Sequence, residues 1–158
     1  MSEFQGKTAI ISGGAEGLGL GMAKAMGRQG MNIVIGDIDE GQLAEATKLL
    51  EAEDIPVLAL KMDVSDITQW QAIADQATER FGNIHMLINN AGVSGIPSAV
   101  DAVDDKDWRW VIDVNLMGVV YGAQVVIPKI KQHGEGGWMI NVASMAGMSG
   151  VPYAGAYN

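Results

Sequence analysis

Residues 12–19 have the composition and the position of a phosphate-binding turn. They read Ser-Gly-Gly-Ala-Glu-Gly-Leu-Gly, follow an apolar run typical of a buried strand, and precede a helical pattern. Glycine lets the backbone turn sharply and approach a pyrophosphate, while the N-terminus of the following helix offers N–H groups and a positive dipole end. The spacing Gly-x-Gly-x-x-Gly is absent, so a purely structural strand–helix turn stays open as an alternative.

An acidic residue, Asp37, ends the second predicted strand, 18 residues after Gly19. A carboxylate there can accept hydrogen bonds from the ribose hydroxyls of adenosine, and it repels a 2′-phosphate. Glu16 adds a second negative charge in the turn, and the neighbouring Ile38 supplies no cation. The pattern therefore predicts NAD as the cofactor rather than NADP. The alternative is that Asp37 only caps the helix that starts near Asp39.

Three polar residues further along could take part in catalysis, although each has a simpler explanation when considered alone. Asn115 lies in an otherwise apolar helical stretch, where a buried amide needs hydrogen-bond partners in any case. Ser144 could simply end a strand, and Tyr157 could belong to the core or to the surface. Because His85 and His133 read as structural residues and the chain has no cysteine, we expect no metal site.

Composition and charge exclude several classes of protein. Apolar types make up 48% of the 158 residues, which is enough for a sizeable core and too much for a disordered chain. The net charge of −9 repels a phosphate backbone, so we expect no nucleic-acid partner. Residues 136–158 are uncharged but rich in Gly, Ser and Asn, so we expect no membrane association. With no targeting segment visible, we expect a cytoplasmic protein.

Apolar strand-like runs alternate with helical patterns along the whole chain. Such alternation indicates an α/β fold, a doubly wound parallel sheet of Rossmann type covered by helices on both faces. The residues after the fifth strand predict the start of a further helix. No repeat or linker is visible, so residues 1–158 are expected to form one domain. The predicted strands are residues 8–12, 32–37, 57–62, 84–89 and 138–143, and the predicted helices are residues 17–29, 39–53, 67–81 and 105–132.

Five motifs occur in an order that resembles the short-chain dehydrogenase/reductase family, in its compact single-domain branch. They are the turn at residues 12–19, Asp63-Val64, Asn90-Ala91-Gly92, Asn115-Leu-Met-Gly118, and Ser144 followed 13 residues later by Tyr157. The resemblance covers essentially the whole chain. It implies an oxidoreductase that transfers a hydride between NAD(H) and a secondary alcohol or ketone. The substrate would be a small molecule, and four residues near the site suggest an apolar one: Met145, Met148, Val151 and Pro152.

The resemblance also implies a role for each matching residue. Asn115, Ser144 and Tyr157 would be catalytic, with Tyr157 as the acid and base, Ser144 orienting the substrate oxygen, and Asn115 interrupting its helix and holding a water molecule. Tyr157 would also contact the cofactor. The other implied cofactor-binding residues are Ser12, Gly13, Gly17, Leu18, Gly19, Asp37, Asp63, Val64, Asn90, Ala91 and Gly92.

The family's catalytic lysine lies four residues after its tyrosine, which is beyond Asn158. We therefore expect the chain to be the N-terminal portion of a longer enzyme, incomplete at the C-terminus and with doubtful activity of its own. Two alternatives are a non-catalytic nucleotide-binding sensor or scaffold, and an inactive fragment whose fifth strand exposes an apolar edge. The helix at residues 114–127 is apolar almost all round, which predicts a subunit interface and hence a homodimer or homotetramer.

Overall fold

A computed structural model describes residues 3–158, and its centre is a parallel sheet. The strand order is β3-β2-β1-β4-β5, so the chain winds outward from β1 in one direction and then crosses over to β4. This order confirms the predicted doubly wound sheet of Rossmann type. The strands are β1 (Thr8–Ser12), β2 (Asn32–Asp37), β3 (Val57–Lys61), β4 (Met86–Asn89) and β5 (Trp138–Asn141).

Helices cover both faces of this sheet because alternate strand residues point to opposite sides. In β1, Ile11 packs towards α1 and α2, whereas Ile10 packs towards α3 and α5. Each face therefore has its own apolar core. The helices are α1 (Gly17–Arg28), α2 (Glu40–Glu51), α3 (Ile67–Phe81), α4 (Asp105–Ile112) and α5 (Gly118–Gln132).

The strand order reverses between β1 and β4, and this reversal creates a crevice at the carboxyl ends of the strands. In open α/β sheets, ligands bind at such a switch point. The loops that follow β1, β2, β3 and β4 all open on this edge, because the strands are parallel. The fold therefore places residues 12–19, Asp37, Asp63 and Asn90 around one crevice.

The long predicted helix at residues 105–132 is not uniform. Between α4 and α5, residues Asp113–Met117 form a π-helix, in which the Gly118 N–H donates to the carbonyl of Asp113. A single π turn within an α-helix is a feature that recurs at functional sites. Residues 105–132 are long and apolar enough, by length and composition alone, to cross a membrane. The core helix of a soluble protein can meet the same two criteria.

Two predictions for the C-terminal part need correction. β5 ends at Asn141 rather than at residue 143, and the segment after it forms one 3₁₀ turn (Met145–Gly147) and further turns instead of a new helix. One bond of helical type is made there, from the Asn158 N–H to the carbonyl of Ala154 at 3.1 Å. A single turn fixes several residues for one hydrogen bond, so it does not by itself form a helix. β5 is an edge strand with half-exposed apolar side chains.

Candidate cofactor-binding cleft

A cleft of about 370 Å³ lies at the switch point of the sheet. This volume is within the range of small-molecule and cofactor sites. Eight of the predicted cofactor residues line it: Gly13, Gly17, Asp37, Asp63, Val64, Asn90, Ala91 and Gly92. Seven residues outside that prediction complete the lining: Glu16, Ile38, Met62, Ser65, Val93, Trp110 and Val114.

The glycine turn has the backbone geometry of a phosphate cradle. Gly13 and Gly17 have φ angles of +61° and +52°, a region that residues with a side chain rarely adopt. A Cβ atom on Gly19 would collide with the carbonyl oxygen of Gly13, and one on Gly13 would lie 2.9 Å from the Cα of Ala91. Glu16 precedes α1 without a side-chain cap, so among residues 3–158 no side chain takes up the first N–H groups of this helix. Such N–H groups can bind an anion.

Ser12 and Asn90 join the ends of β1 and β4 beneath this turn. The Oγ of Ser12 accepts hydrogen bonds from the backbone N–H of Asn90 at 3.0 Å and of Ala91 at 3.2 Å. In return, Nδ2 of Asn90 donates to the carbonyl oxygens of Ser12 and Gly13 at 3.0 and 2.9 Å. Ser12 is only 2% exposed and does not line the cleft. Its hydroxyl therefore holds the two strand ends together rather than facing the cleft.

Asp37 connects the second strand to the glycine turn. Its Oδ2 accepts a hydrogen bond from the Ala15 N–H at 3.2 Å, and its Oδ1 accepts one from the Asp39 N–H at 3.2 Å. The alternative that Asp37 caps α2 is wrong, because Asp39 is the cap and accepts from the N–H groups of Gly41 and Gln42. The Asp37 carboxylate keeps lone pairs for a ligand, since each oxygen accepts one bond.

Asp63 and Val64 shape the wall of the cleft beyond β3. The Oδ1 of Asp63 accepts from the N–H and the hydroxyl of Ser65, at 2.9 and 2.7 Å, which closes a tight turn. The carbonyl of Val64 accepts from the indole Nε1 of Trp70 at 3.0 Å. The Val64 side chain lies so close to Gly118 that a Cβ there would be 2.8 Å from it. The long helix therefore approaches this wall directly.

Two side chains of the long helix hold the loop that follows β4. Asn115 lies in the π-helix, where its Oδ1 accepts from the Val93 N–H and its Nδ2 donates to the Val93 carbonyl, both at 2.8 Å. Asp107 is 6% exposed, and its Oδ2 accepts from the Ile96 N–H at 3.0 Å. The interruption of the helix at Asn115 agrees with the prediction, while its side-chain amide is engaged with the loop backbone.

Two of the predicted catalytic residues, Ser144 and Tyr157, are not part of the cleft lining. The Oγ of Ser144 accepts from the Ala146 N–H at 3.2 Å and so caps the 3₁₀ turn. Tyr157 is half-buried in the last turn, where its N–H donates to the Ala154 carbonyl at 3.0 Å. Within residues 3–158, no hydrogen bond joins Ser144 to Tyr157. The cleft is also not lined by Leu18, Gly19 or Asn115.

A second polar cluster, which sequence reasoning missed, lies at the opposite end of the sheet. Potential metal-ligating atoms of His85, His133 and Glu135 lie within 4.8 Å of one another. Hydrogen bonds already engage these groups: Nδ1 of His85 accepts from the Thr8 N–H at 3.1 Å, and its Nε2 lies 3.1 Å from Glu135 Oε2. Coordination through Nε2 would leave a neutral His85 with its proton on Nδ1, facing the Thr8 N–H. The cluster therefore fits a structural role better than a metal site.

The hydrogen bonds in this cluster also shift the pKa of Glu135. The His85 side chain, followed by that of Asn83, donates to the carboxylate and lowers the pKa of Glu135 from its ordinary value. Sequence reasoning had no direct signal for the cluster, because His85 and Glu135 are 50 positions apart.

Comparison with known proteins gives a consistent assignment. The family model described as short chain dehydrogenase matches residues 7–158. A 3-alpha-(or 20-beta)-hydroxysteroid dehydrogenase of Mycobacterium tuberculosis is 38% identical and aligns over 92% of this chain and 54% of its own. An NADP-dependent (R)-specific alcohol dehydrogenase of Lentilactobacillus kefiri is 33% identical and aligns over 98% of this chain and 61% of its own.

The solved structures agree with this assignment. A short chain dehydrogenase/reductase from Burkholderia phymatum in complex with NAD has a TM-score of 0.94 and 40% identity, covering 99% of this chain and 56% of that one. The chain thus spans between 54% and 61% of the length of these proteins. The matched residues include the glycine turn, the cleft and the long helix described above. The chain belongs to the short chain dehydrogenase family.

Proposed function

We propose that the chain is the cofactor-binding part of an oxidoreductase that transfers a hydride between NAD(H) and a secondary alcohol or ketone. The observation that carries the proposal is the cleft at the switch point, where Gly13 and Gly17 of the glycine turn meet the carboxylate of Asp37. A pyrophosphate fits this cradle because the missing side chains leave room for it and the first turn of α1 offers N–H donors. Ribose hydroxyls fit the lone pairs of Asp37.

The charges around the cleft support NAD over NADP. Glu16, Asp37 and Asp63 line it, and no lining residue in the described chain is Lys, Arg or His. A 2′-phosphate would meet like charge without a cationic partner, which is costly at a partly desolvated site. The NADP-dependent alcohol dehydrogenase among the relatives means that family membership alone does not decide the cofactor. The preference for NAD over NADP therefore rests on Glu16, Asp37 and Asp63.

A titration of the 158-residue chain with NAD and with NADP, followed by calorimetry, tests this preference. We expect NAD to bind at least about tenfold more tightly, a difference of about 1.4 kcal/mol. Asp37→Asn removes the charge while keeping a hydrogen-bond acceptor, so it should reduce the difference in affinity between NAD and NADP. Asp54→Asn is the matched control, because Asp54 is exposed, lies outside the cleft and has a φ of 56° that Asn tolerates. Tighter binding of NADP by the unmodified chain would refute the preference.

For the chemical step, Tyr157 would protonate the carbonyl oxygen during reduction and take the proton back during oxidation of the alcohol. A dinucleotide held by Gly13, Gly17 and Asp37 would supply the hydride for the carbonyl carbon. Ser144 would donate a hydrogen bond to that oxygen and orient it. Asn115 would position the loop after β4 through its two bonds to Val93. Exposed Met145 and Met148 beside Ser144 support an apolar substrate.

The roles of the two side chains are tested in a longer protein that contains this chain, by NADH oxidation with a panel of ketones. Tyr157→Phe should abolish turnover with cofactor binding retained, because only the proton donor is lost. Tyr153→Phe, at an exposed tyrosine four residues earlier, is the matched control and should stay active. Ser144→Ala should lower kcat by roughly 10²-fold, as for the loss of one oxyanion donor. Substantial activity of Tyr157→Phe would assign the acid to another group.

A second candidate function is nucleotide binding without turnover. It is favoured by one observation: eight of the predicted cofactor residues line the cleft, whereas Ser144 and Tyr157 do not. Binding of NADH with no oxidation on any ketone in the panel, in the longer protein, would support this candidate and contradict the enzyme.

A further inference from the structure

Asp107 is a buried carboxylate in the first turn of α4. It is 6% exposed, and among residues 3–158 no Lys, Arg or His side chain lies within ion-pair distance of it. A buried charge without a cation is costly unless hydrogen bonds replace the lost water. The Ile96 N–H supplies such a bond to Oδ2 at 3.0 Å. The carboxylate is therefore tied to the β4–α4 loop, residues 90–104.

The backbone of this loop is shaped to reach Asp107. Gly95, the residue before Ile96, has a φ of +71°, a region that residues with a side chain rarely adopt. A Cβ atom on Gly95 would lie 3.0 Å from Oδ2 of Asp107 and 2.9 Å from a methyl carbon of Val111. Glycine at this position therefore lets the loop lie directly against the helix, where the Ile96 N–H meets the carboxylate.

The β4–α4 loop also contacts the C-terminal segment, residues 151–158. Ser98 forms a parallel β-bridge with Ala154, and its N–H donates to the Tyr153 carbonyl at 2.8 Å. Tyr153 has a φ of +64°, an uncommon conformation that persists only where surrounding contacts hold it. A Cβ atom on Gly155 would lie 3.0 Å from the backbone of the loop. The segment therefore packs directly on the loop that Asp107 holds.

The C-terminal segment includes Tyr157, the proposed acid. The Tyr157 N–H donates to the Ala154 carbonyl at 3.0 Å, so one hydrogen-bonded turn separates the β-bridge from this residue. Asn158 closes the segment on itself, because Oδ1 accepts from the Val151 N–H at 3.1 Å and Nδ2 donates to the Val151 carbonyl at 3.0 Å. A continuous series of contacts thus runs from Asp107 through the loop to Tyr157.

We propose that Asp107 is a positioning residue for Tyr157: its carboxylate fixes the β4–α4 loop, and the loop fixes the segment that carries the phenol. This inference rests on the proposed function, because it requires Tyr157 to be the acid. A displacement of about 1 Å in a reacting group can cost about 10²-fold in rate, even when the mutated residue is remote from the chemistry. Asn115 holds the same loop at Val93, three residues before Ile96, so it does not replace the Asp107 contact.

Hydrogen exchange of the 158-residue chain, read by mass spectrometry, tests this physical link without a substrate. Asp107→Ala removes the acceptor of the Ile96 N–H, so amides in residues 151–158 should exchange at least about tenfold faster. Asp107→Asn keeps an acceptor oxygen, so exchange there should stay within about threefold of the unmodified chain. Asp105→Ala is the matched control and should leave the exchange unchanged, because Asp105 is an exposed acid in the same helical turn.

Kinetics in a longer protein that contains this chain test the consequence for catalysis. Asp107→Ala should lower kcat for ketone reduction at least about tenfold and leave the KM for NADH within about twofold. Asp107→Asn should restore kcat, and Asp105→Ala should not change it. A residue with only a structural role would produce neither this split between kcat and KM nor the rescue by Asn. Circular dichroism checks the folding of each variant.

The outcomes separate this inference from the proposed function. If Tyr157→Phe stays active, both are overturned. If Tyr157→Phe is inactive but Asp107→Ala keeps its kcat, or keeps slow exchange in residues 151–158, only the positioning role is overturned. The same follows if Asp107→Asn is as impaired as Asp107→Ala. Should Asp107→Ala fail to fold, Ser98→Pro decides, because it removes the N–H that donates to Tyr153; unchanged exchange in that variant overturns the inference.

Discussion

The two hydrogen bonds between Asn115 and Val93 allow a quantitative prediction. Asn115→Ala removes both 2.8 Å bonds and leaves the N–H and C=O of a half-buried residue to find water. Each such bond contributes about 0.5–1.5 kcal/mol net, so the free energy of unfolding should fall by about 2 kcal/mol. For a chain of this size, that corresponds to a fall in Tm of about 4–8 °C. Urea denaturation followed by circular dichroism measures it.

Two further variants make the Asn115 test specific. Gln124→Ala removes an exposed amide from the same helix and should change stability by less than about 0.5 kcal/mol. Asn115→Asp keeps the acceptor for the Val93 N–H but turns a second oxygen towards the Val93 carbonyl. Repulsion raises the folded pKa of that carboxyl, so the variant should be weakest at neutral pH and recover on acidification as the carboxyl becomes a donor. A loss below 0.5 kcal/mol in Asn115→Ala would refute the reasoning.

Two other predictions concern regions away from the cleft. Hydrogen bonds lower the pKa of Glu135 in the folded state, so the ionised side chain stabilises the fold. This contribution to stability is complete above the ordinary pKa of a glutamate, and it is lost as the pH falls through the lower pKa of the folded state. Thermal melts of Glu135→Gln and the unmodified chain should therefore converge in acid, and a constant difference would contradict this. The exposed apolar Ile112 and Leu116 predict a dimer or tetramer at micromolar concentration in light scattering. Leu116→Glu should reduce the size of this oligomer. If the unmodified chain is a well-behaved monomer, the predicted interface is contradicted.

Much of the fold could be predicted because each strand is a short apolar run between turn-forming residues. β1 and β2 agree with their predicted bounds, and the other three differ by at most two residues at an end. β1, β2 and β4 are buried on both faces, so hydropathy alone marks them. The helix predicted after the fifth strand was wrong. A helix needs more than one hydrogen-bonded turn, and the local sequence pattern after Ser149 does not show that only one such turn forms.

The cofactor side of the site was more accessible to sequence reasoning than the rest. The glycine turn and Asp37 follow their strands directly, so the parallel sheet brings them to one edge. Asp107 was missed because it lies in an acidic run that resembles a solvated loop, yet its carboxylate is buried and bonded to the Ile96 N–H. No sequence signal predicts that Trp110 lines the cleft. Its exposure depends on which face of the helix meets the sheet, and composition does not encode that.

The long helix joins features that the sequence presents separately. Its inner side carries Trp110 at the cleft, while Asp107 and Asn115 hold the loop after β4. Its outer side exposes Ile112 and Leu116. The π-helix at Asp113–Met117 adds one residue to a turn and so sets the rotation of α4 relative to α5. We therefore expect association of subunits through the outer side to stiffen the same helix that shapes the cleft. Such stiffening would couple subunit association to cofactor affinity, although the two sites do not touch.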